Sequence, residues 1–239
     1  MRVLVVTAVP VERDAVTRAF GGTPEVLTVP GAELHRSGAF DVLAGGAGPA
    51  AAAAAAAFAL ASAPESYAPE SSALEPYGLV ISAGIGGGFA PAAPLGSLVV
   101  ASDIVAADLG AETADGFLPV TALGFGRDRF TPPPALVREV AAATGASSGP
   151  VLTVSTVTGT ADRTAALLAA HPGALAEAME GFGVAEAAER AGVPVLELRA
   201  VSNTVGPRDR AAWRIGDALA ALTEAFGKSA PVLEGWNQA

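Results

Sequence analysis

Short runs of β-branched and other apolar residues alternate along this chain with longer Ala-rich stretches. That pattern lays helices over a largely buried sheet and marks an α/β chain. The apolar runs predict strands at 2–8, 25–29, 33–37, 40–45, 78–82, 97–107, 150–156 and 195–202. Helices are expected at 11–20, 49–63, 133–144, 161–170, 181–191 and 210–226, with Pro49 and Pro133 where a helix start tolerates proline. The run of alanines at 50–57 reads as a helix that packs closely on the sheet, since alanine is the strongest helix former. The Pro-, Ser- and Glu-rich segment 64–76 reads as an exposed loop.

Composition narrows this picture. The 239 residues are 51% hydrophobic and 16% charged, which fits one compact domain spanning 1–239 with a large core. A formal net charge of −10 speaks against a nucleic-acid partner, which needs a basic face. The chain has no cysteine, so disulfides and thiolate metal sites are excluded. Its first apolar run is short and stops at Glu12-Arg13-Asp14, so it reads as a buried strand rather than a cleaved leader, and a cytoplasmic protein is expected. The uncharged stretches 42–64 and 77–102 are built from Ala, Gly and Pro, too weakly hydrophobic to enter a bilayer.

The candidate chemistry begins with glycines. The run Gly46-Ala47-Gly48-Pro49-Ala50-Ala51 fits G-x-G-x-x-A, but the acidic residue a dinucleotide site needs about 20 residues on is missing. Close approach to a smaller ligand, or a plain tight turn, fits it better. There is no G-x-S-x-G elbow and no H-E-x-x-H, and His35 and His171 are far apart and read as surface residues. No metal site is proposed by the spacing. Two segments carry more. In 7–12 (TAVPVE) an apolar strand ends and Glu12 follows, either at a ligand crevice or simply as a first-turn helix carboxylate. Glu180 opens the helix predicted at 181–191, where it points out of a strand end or caps that helix. Arg199, Ser202 and Asn203 sit at the end of the last strand, where a guanidinium, a hydroxyl and an amide converge as a polar ligand site or as a capped, ion-paired loop.

At these residues the chain resembles the nucleoside phosphorylase and nucleosidase superfamily, especially the methylthioadenosine/S-adenosylhomocysteine nucleosidases. The segment 7–12 is similar to that family's first strand and catalytic glutamate. The segment 46–57 resembles its G-x-G-K-x-A-A helix start, with Pro49 in place of lysine. The stretch 80–89 (VISAGIGGGF) resembles its Gly-rich base-side loop. Met179-Glu180, Arg199 and Ser202-Asn203 resemble its ribose and base site. The adenine-specific enzymes carry aspartate where this chain has Asn203. The segments 202–209 (SNTVGPRD), with Trp213 beyond, and 156–160 (TVTGT) are similar to the futalosine hydrolases, which release hypoxanthine from futalosine in an alternative route to menaquinone.

The resemblance implies a three-layer α/β/α fold with a central mixed sheet, nucleoside phosphorylase-like, and a nucleosidase that needs no cofactor. It further implies a homo-oligomer, a dimer or higher. Glu12 is then the residue that deprotonates water, with Arg199 helping to hold that site. Glu180 accepts from the ribose hydroxyls, Met179 packs on the sugar, and Ser202, Ile85, Gly86, Gly87 and Thr158 shape the pocket. Asn203 faces the base, where an amide can accept from a protonated N7 and donate to O6, the pattern of a 6-oxopurine. One rival is a phosphorylase, although the Gly-x-Pro-x-Arg of the phosphorylases is missing at the end of the first strand. A second is a catalytically silent nucleoside-binding protein, against which the presence of both Glu12 and Glu180 argues.

Overall fold

A computed structural model describes residues 1–62, 76–114 and 116–236. The first strands are β1 (Arg2–Thr7), β2 (Glu25–Val29), β3 (Ala32–Ser37), β4 (Phe40–Ala44), β5 (Tyr77–Gly88) and β6 (Leu98–Ala106). They are followed by β7 (Gly110–Thr113), β8 (Gly116–Pro119), β9 (Arg129–Phe130), β10 (Ser147–Thr153), β11 (Ala176–Ala178) and β12 (Val195–Thr204). The helices are α1 (Pro10–Arg18), α2 (Pro49–Ser62), α3 (Pro134–Thr144), α4 (Ala161–Ala170), α5 (Gly181–Arg190) and α6 (Ile215–Gly235).

All strands but the β7–β8 ribbon join one mixed sheet in the order β11-β10-β6-β12-β5-β1-β4-β3-β2, with β9 on β6. Strand β11 also pairs with β5, so β5, β12, β6, β10 and β11 close into a ring. Helices cover both faces, giving the expected three-layer α/β/α arrangement. On one face α2 and α5 enclose Leu4, Val6, Val80 and Val201. On the other, α1, α3 and α6 bury Val5, Ile81, Leu198 and Phe226. Each such side chain withdrawn from water stabilises the fold by about 1.5–3 kcal/mol.

The Ala-rich sequence of α2 serves close packing. Ala52, Ala55, Ala56 and Ala59 are buried, and α2 lies against α5. Where the two helices meet, Gly183 faces the carbonyl of Pro49, and a Cβ there would collide with that oxygen. The contact brings the turn at Gly48 beside Glu180, the residue before α5.

Several elements differ from the sequence expectation. The glycines at 84–88 are not a loop but the end of β5, paired with β12 and β11. Pairing with β12 along 84–88, joined by β11 at Gly87 and Gly88, overrides the low strand propensity of glycine. The expected helix 210–226 is instead a single 3₁₀ turn, Arg210–Ala212, and then α6, which runs on through Pro231 because Ser229 and Leu233 are buried. The short strands β7, β8, β9 and β11 have too few residues to show an alternation. The expected loop 64–76 lies, apart from Pro76, outside the described residues.

Candidate active site

Glu12 stands in the first turn of α1, just beyond the end of β1. Its Oε2 accepts from the backbone N–H of Ala8 (3.0 Å) and Val9 (3.3 Å), so the carboxylate closes the helix start. Its Oε1 accepts from Ile85 N–H at 2.8 Å, which ties it to β5. The first-turn reading and the crevice reading of Glu12 are thus both true. Each carboxylate oxygen takes two donors, so Oε2 is filled and Oε1 keeps one acceptor position. Burial pushes the Glu12 carboxyl above its usual value, against the pull of the Ile85 hydrogen bond and the Arg199 charge, and the Glu180 carboxylate adds to the rise.

Glu180 precedes α5 but makes no side-chain cap. Instead it turns back. Its Oε1 accepts from Gly48 N–H (3.2 Å), and its Oε2 from Met179 N–H (3.3 Å) and Arg199 Nη1 (3.2 Å). One acceptor position remains on Oε1. The glycine turn at 46–48 therefore places a backbone donor on Glu180.

Arg199 lies beneath these carboxylates and has no exposed surface. Its Nε donates to Glu197 Oε1 (2.8 Å), Nη1 to Glu180 and Nη2 to Ser82 Oγ (2.8 Å). Burial opposes its charge, but Glu197, Glu180 and Glu12 outweigh that and hold the guanidinium above its usual value. Glu197 is also fully buried; burial raises its carboxyl, and its Oε2 has no hydrogen-bond partner. Gly84 makes room for the arrangement: a Cβ there would lie 2.7 Å from Glu12 Oε1 and 2.9 Å from Arg199 Nη1.

The remaining groups enclose a cavity of ≈ 280 Å³. The expected residues Glu12, Ile85, Gly86, Gly87, Thr158, Met179, Glu180, Ser202 and Asn203 all line it. A register shift in β12 between Val201 and Asn203 leaves Ser202 unpaired on β5, which lets two successive polar residues reach the cavity. Ser202 Oγ lies 3.2 Å from Gly86 O and 3.0 Å from Asn203 Oδ1, and Asn203 Nδ2 donates to Thr204 O at 3.1 Å.

Arg199, expected to help hold the site, does not itself line the cavity but bonds Glu180 and Glu197 beneath it. Sequence reasoning missed Glu177, Glu197 and Gly84. Glu197 had a legible signal: an acid two residues before Arg199 in an apolar strand shares its face. Glu177 had little, because β11 has only three residues. Trp213 and Arg208 complete the rim, with the guanidinium 5.4 Å from the indole ring. Among the described residues no three His, Asp or Glu side chains are grouped to hold a metal ion, and no helix is long and apolar enough to cross a membrane.

Removing a partner from a buried ion pair costs about 3–5 kcal/mol, because the charge left behind stays desolvated. Arg199→Met is expected to lose stability of this order in urea unfolding, and Arg199→Met combined with Glu197→Leu to regain part of it. Equal stability of wild type and Arg199→Met would show that the network is not held by charge.

Residues 3–234 match the family model described as Phosphorylase superfamily. The chain is 67% identical to the futalosine hydrolase of Streptomyces coelicolor, covering 99% of this chain and 98% of that protein. It is 43% identical to the futalosine hydrolase of Acidothermus cellulolyticus over 93% and 88% of the two chains. Among solved structures, the fold is similar to 5′-methylthioadenosine/S-adenosylhomocysteine nucleosidase from Neisseria meningitidis in complex with methylthio-immucillin-A. That match has a TM-score of 0.78 at 18% identity and covers 97% of this chain and 99% of that one. The chain belongs to the phosphorylase superfamily and, within it, to the futalosine hydrolase family.

Proposed function

We propose that the chain hydrolyses the N-glycosidic bond of futalosine, releasing hypoxanthine and the dehypoxanthine sugar product on a route to menaquinone. The observation that carries this reading is the pairing of Glu12 and Glu180 at one cavity. Both are buried, each keeps one free acceptor position on Oε1, and Arg199 holds Glu180 directly and Glu12 by its charge. The names of the relatives point the same way.

Purine N-glycosides cleave through an oxocarbenium-like sugar while negative charge moves to the base, as in O-glycoside hydrolysis. Glu180 takes a ribose hydroxyl on its free Oε1 position and orients the sugar beside Met179. Glu12 takes a proton from water through its own Oε1 as the oxygen bonds to C1′. The C1′–N9 electron pair leaves with the base, a proton from solvent water reaches N7, and Glu12 returns the proton it took to solvent, so that one water is split between sugar and base. Asn203 stabilises that base by accepting from N7–H and donating to O6.

Hydrolysis is favoured over phosphorolysis by the lining. Phosphate sites want converging arginines, and among the described lining residues Arg208 is the single guanidinium. A silent binding protein has no use for a water-activating carboxylate. The chain acts as one domain in the cytoplasm and as a homo-oligomer. Support for association comes from the exposed apolar side chains Leu109, Phe117, Leu118, Leu123 and Phe125, grouped in one segment.

Chromatography of futalosine reactions is expected to show free hypoxanthine, and Glu12→Gln to lower kcat about 10²–10⁴-fold with the fold intact. Because Glu12 must be ionised to accept a proton and its pKa is raised, kcat/KM should climb with pH through a step above the ordinary carboxylate range. Glu12→Gln should lose that step. Wild-type turnover by Glu12→Gln would leave Glu12 a helix-start residue only.

Asn203→Asp opposes two acceptors to O6 and is expected to lower the futalosine to aminofutalosine ratio of kcat/KM. Unpaired buried polar groups discriminate by as much as about 10⁴-fold. An unchanged ratio would make Asn203 a structural cap.

A further inference from the structure

Of the buried glutamates Glu12, Glu177, Glu180 and Glu197, only Glu197 lies outside the cavity lining. It stands on β12 two residues before Arg199, on the same face of the strand, and has no exposed surface. Its Oε1 accepts from Arg199 Nε, while its Oε2 is buried without a partner. Across the strand pair it is in register with Ser82 of β5, whose hydroxyl accepts from Arg199 Nη2. The first residue of α5 closes over it: a Cβ on Gly181 would collide with both Glu197 oxygens.

A group of this kind opposes folding. A buried carboxylate with an unmet oxygen is costly, and Arg199 already has Glu180 and Ser82 to hold it. What those two partners leave open is charge. The guanidinium lies beneath the carboxylates that face the sugar, 3.2 Å from Glu180 Oε2, and its charge is felt at Glu12. Bond cleavage puts positive charge on the sugar. An uncompensated cation under the ribose site would oppose that charge and weaken the pull of Glu12 and Glu180. Glu197 binds Arg199 at Nε, outside the cavity, while Nη1 reaches Glu180, which lines it. The compensating acid therefore does not compete with water or the ribose hydroxyls for hydrogen bonds.

We propose that Glu197 is a positioning residue whose charge cancels that of Arg199, leaving the Glu12 and Glu180 carboxylates to act in full on the cation-like sugar. It touches neither substrate nor reacting atoms and acts through Arg199. The proposal rests on the functional reading above and adds to it the origin of the negative field at the sugar. Arg199 can then fix Glu180 in place without its own charge opposing the transition state. Removing one unit charge at this range, at the effective dielectric of a protein site, alters a rate on the order of 10- to 100-fold.

The test is Glu197→Gln, which keeps the shape and the acceptor for Arg199 Nε and removes the charge. Kinetics on futalosine are read beside calorimetric binding of two ribose analogues with hypoxanthine present. One is 1,4-dideoxy-1,4-iminoribitol, whose ring nitrogen is protonated, and the other is neutral 1,4-anhydroribitol. In Glu197→Gln, kcat and the affinity for the cationic analogue are expected to fall together, roughly 10- to 100-fold. KM and the affinity for the neutral analogue should stay within about twofold of wild type, because neither involves a charged sugar. A Glu197 that merely secured Arg199 would, when replaced, loosen Glu180, so that KM rose and both analogues weakened alike. That result, or a wild-type kcat, would overturn the proposal. If Glu197→Gln does not fold, Glu197→Asp decides, since it keeps the charge and stretches the hydrogen bond to Nε. Its preference for the cationic over the neutral analogue should remain within about twofold of wild type, and a roughly tenfold loss of that preference would overturn the assignment. Failure of the broader reading is distinguishable: wild type would then release no hypoxanthine from futalosine.

Discussion

The site depends on one guanidinium sealed from water. Arg199 has no exposed surface, yet its planar fork reaches Glu197, Glu180 and Ser82 at once and sets the charge felt by Glu12. A flexible ammonium would not bridge three partners in fixed geometry, because it is a point charge on a mobile stem. Around this cation stand three buried carboxylates, and burial above all raises the pKa of Glu12 and Glu197, with the Glu180 charge adding to it. A base with a raised pKa suits proton abstraction near neutral pH better than an ordinary carboxylate does. The same strain that burial imposes on the core therefore supplies the reactivity of the site.

Backbone geometry supplies the rest. Segments at the ends of β1, β5, β10, β11 and β12 line the cavity, and glycine decides how near they come. Gly84 lets Glu12 and Arg199 share one space, Gly183 lets α2 settle on α5, and Gly48 donates to Glu180. The unpaired Ser202 then turns the end of β12 so that a hydroxyl and an amide both face inward. Little of this precision is hydrophobic in origin. The apolar layers on either face of the sheet fix the strands, and the strands fix the polar groups.

Much of this was legible in the residues. Alternating apolar and Ala-rich runs locate β1, β4, β6, β12 and all the helices except the start and end of α6. The strand-then-acid pattern at 7–12 and the family-like Met179-Glu180 pair point to side chains that line the cavity. What stayed hidden depends on pairing at long range. A three-residue strand such as β11 carries no period, so nothing marked Glu177 as a neighbour of Gly87. Glycine reads as a loop in sequence, and only pairing with β12, and with β11 at Gly87 and Gly88, makes 84–88 extended. Arg199 reads as a site residue because it is a charge at a strand end, but alternation alone could not say that it lies under the cavity floor. The expected helix ends at 226, whereas α6 continues through Pro231 to Gly235, where buried Ser229 and Leu233 hold it against the core.

The central claim is that Glu12, held in this network, directs a water molecule at the sugar carbon. Turnover of futalosine in ¹⁸O-labelled water without phosphate tests it most directly, with the products read by mass spectrometry. The account predicts one ¹⁸O atom at C1′ of the sugar product, none in hypoxanthine, and a rate that added phosphate does not change. A phosphate ester at C1′, or a rate that depends on phosphate, would contradict it.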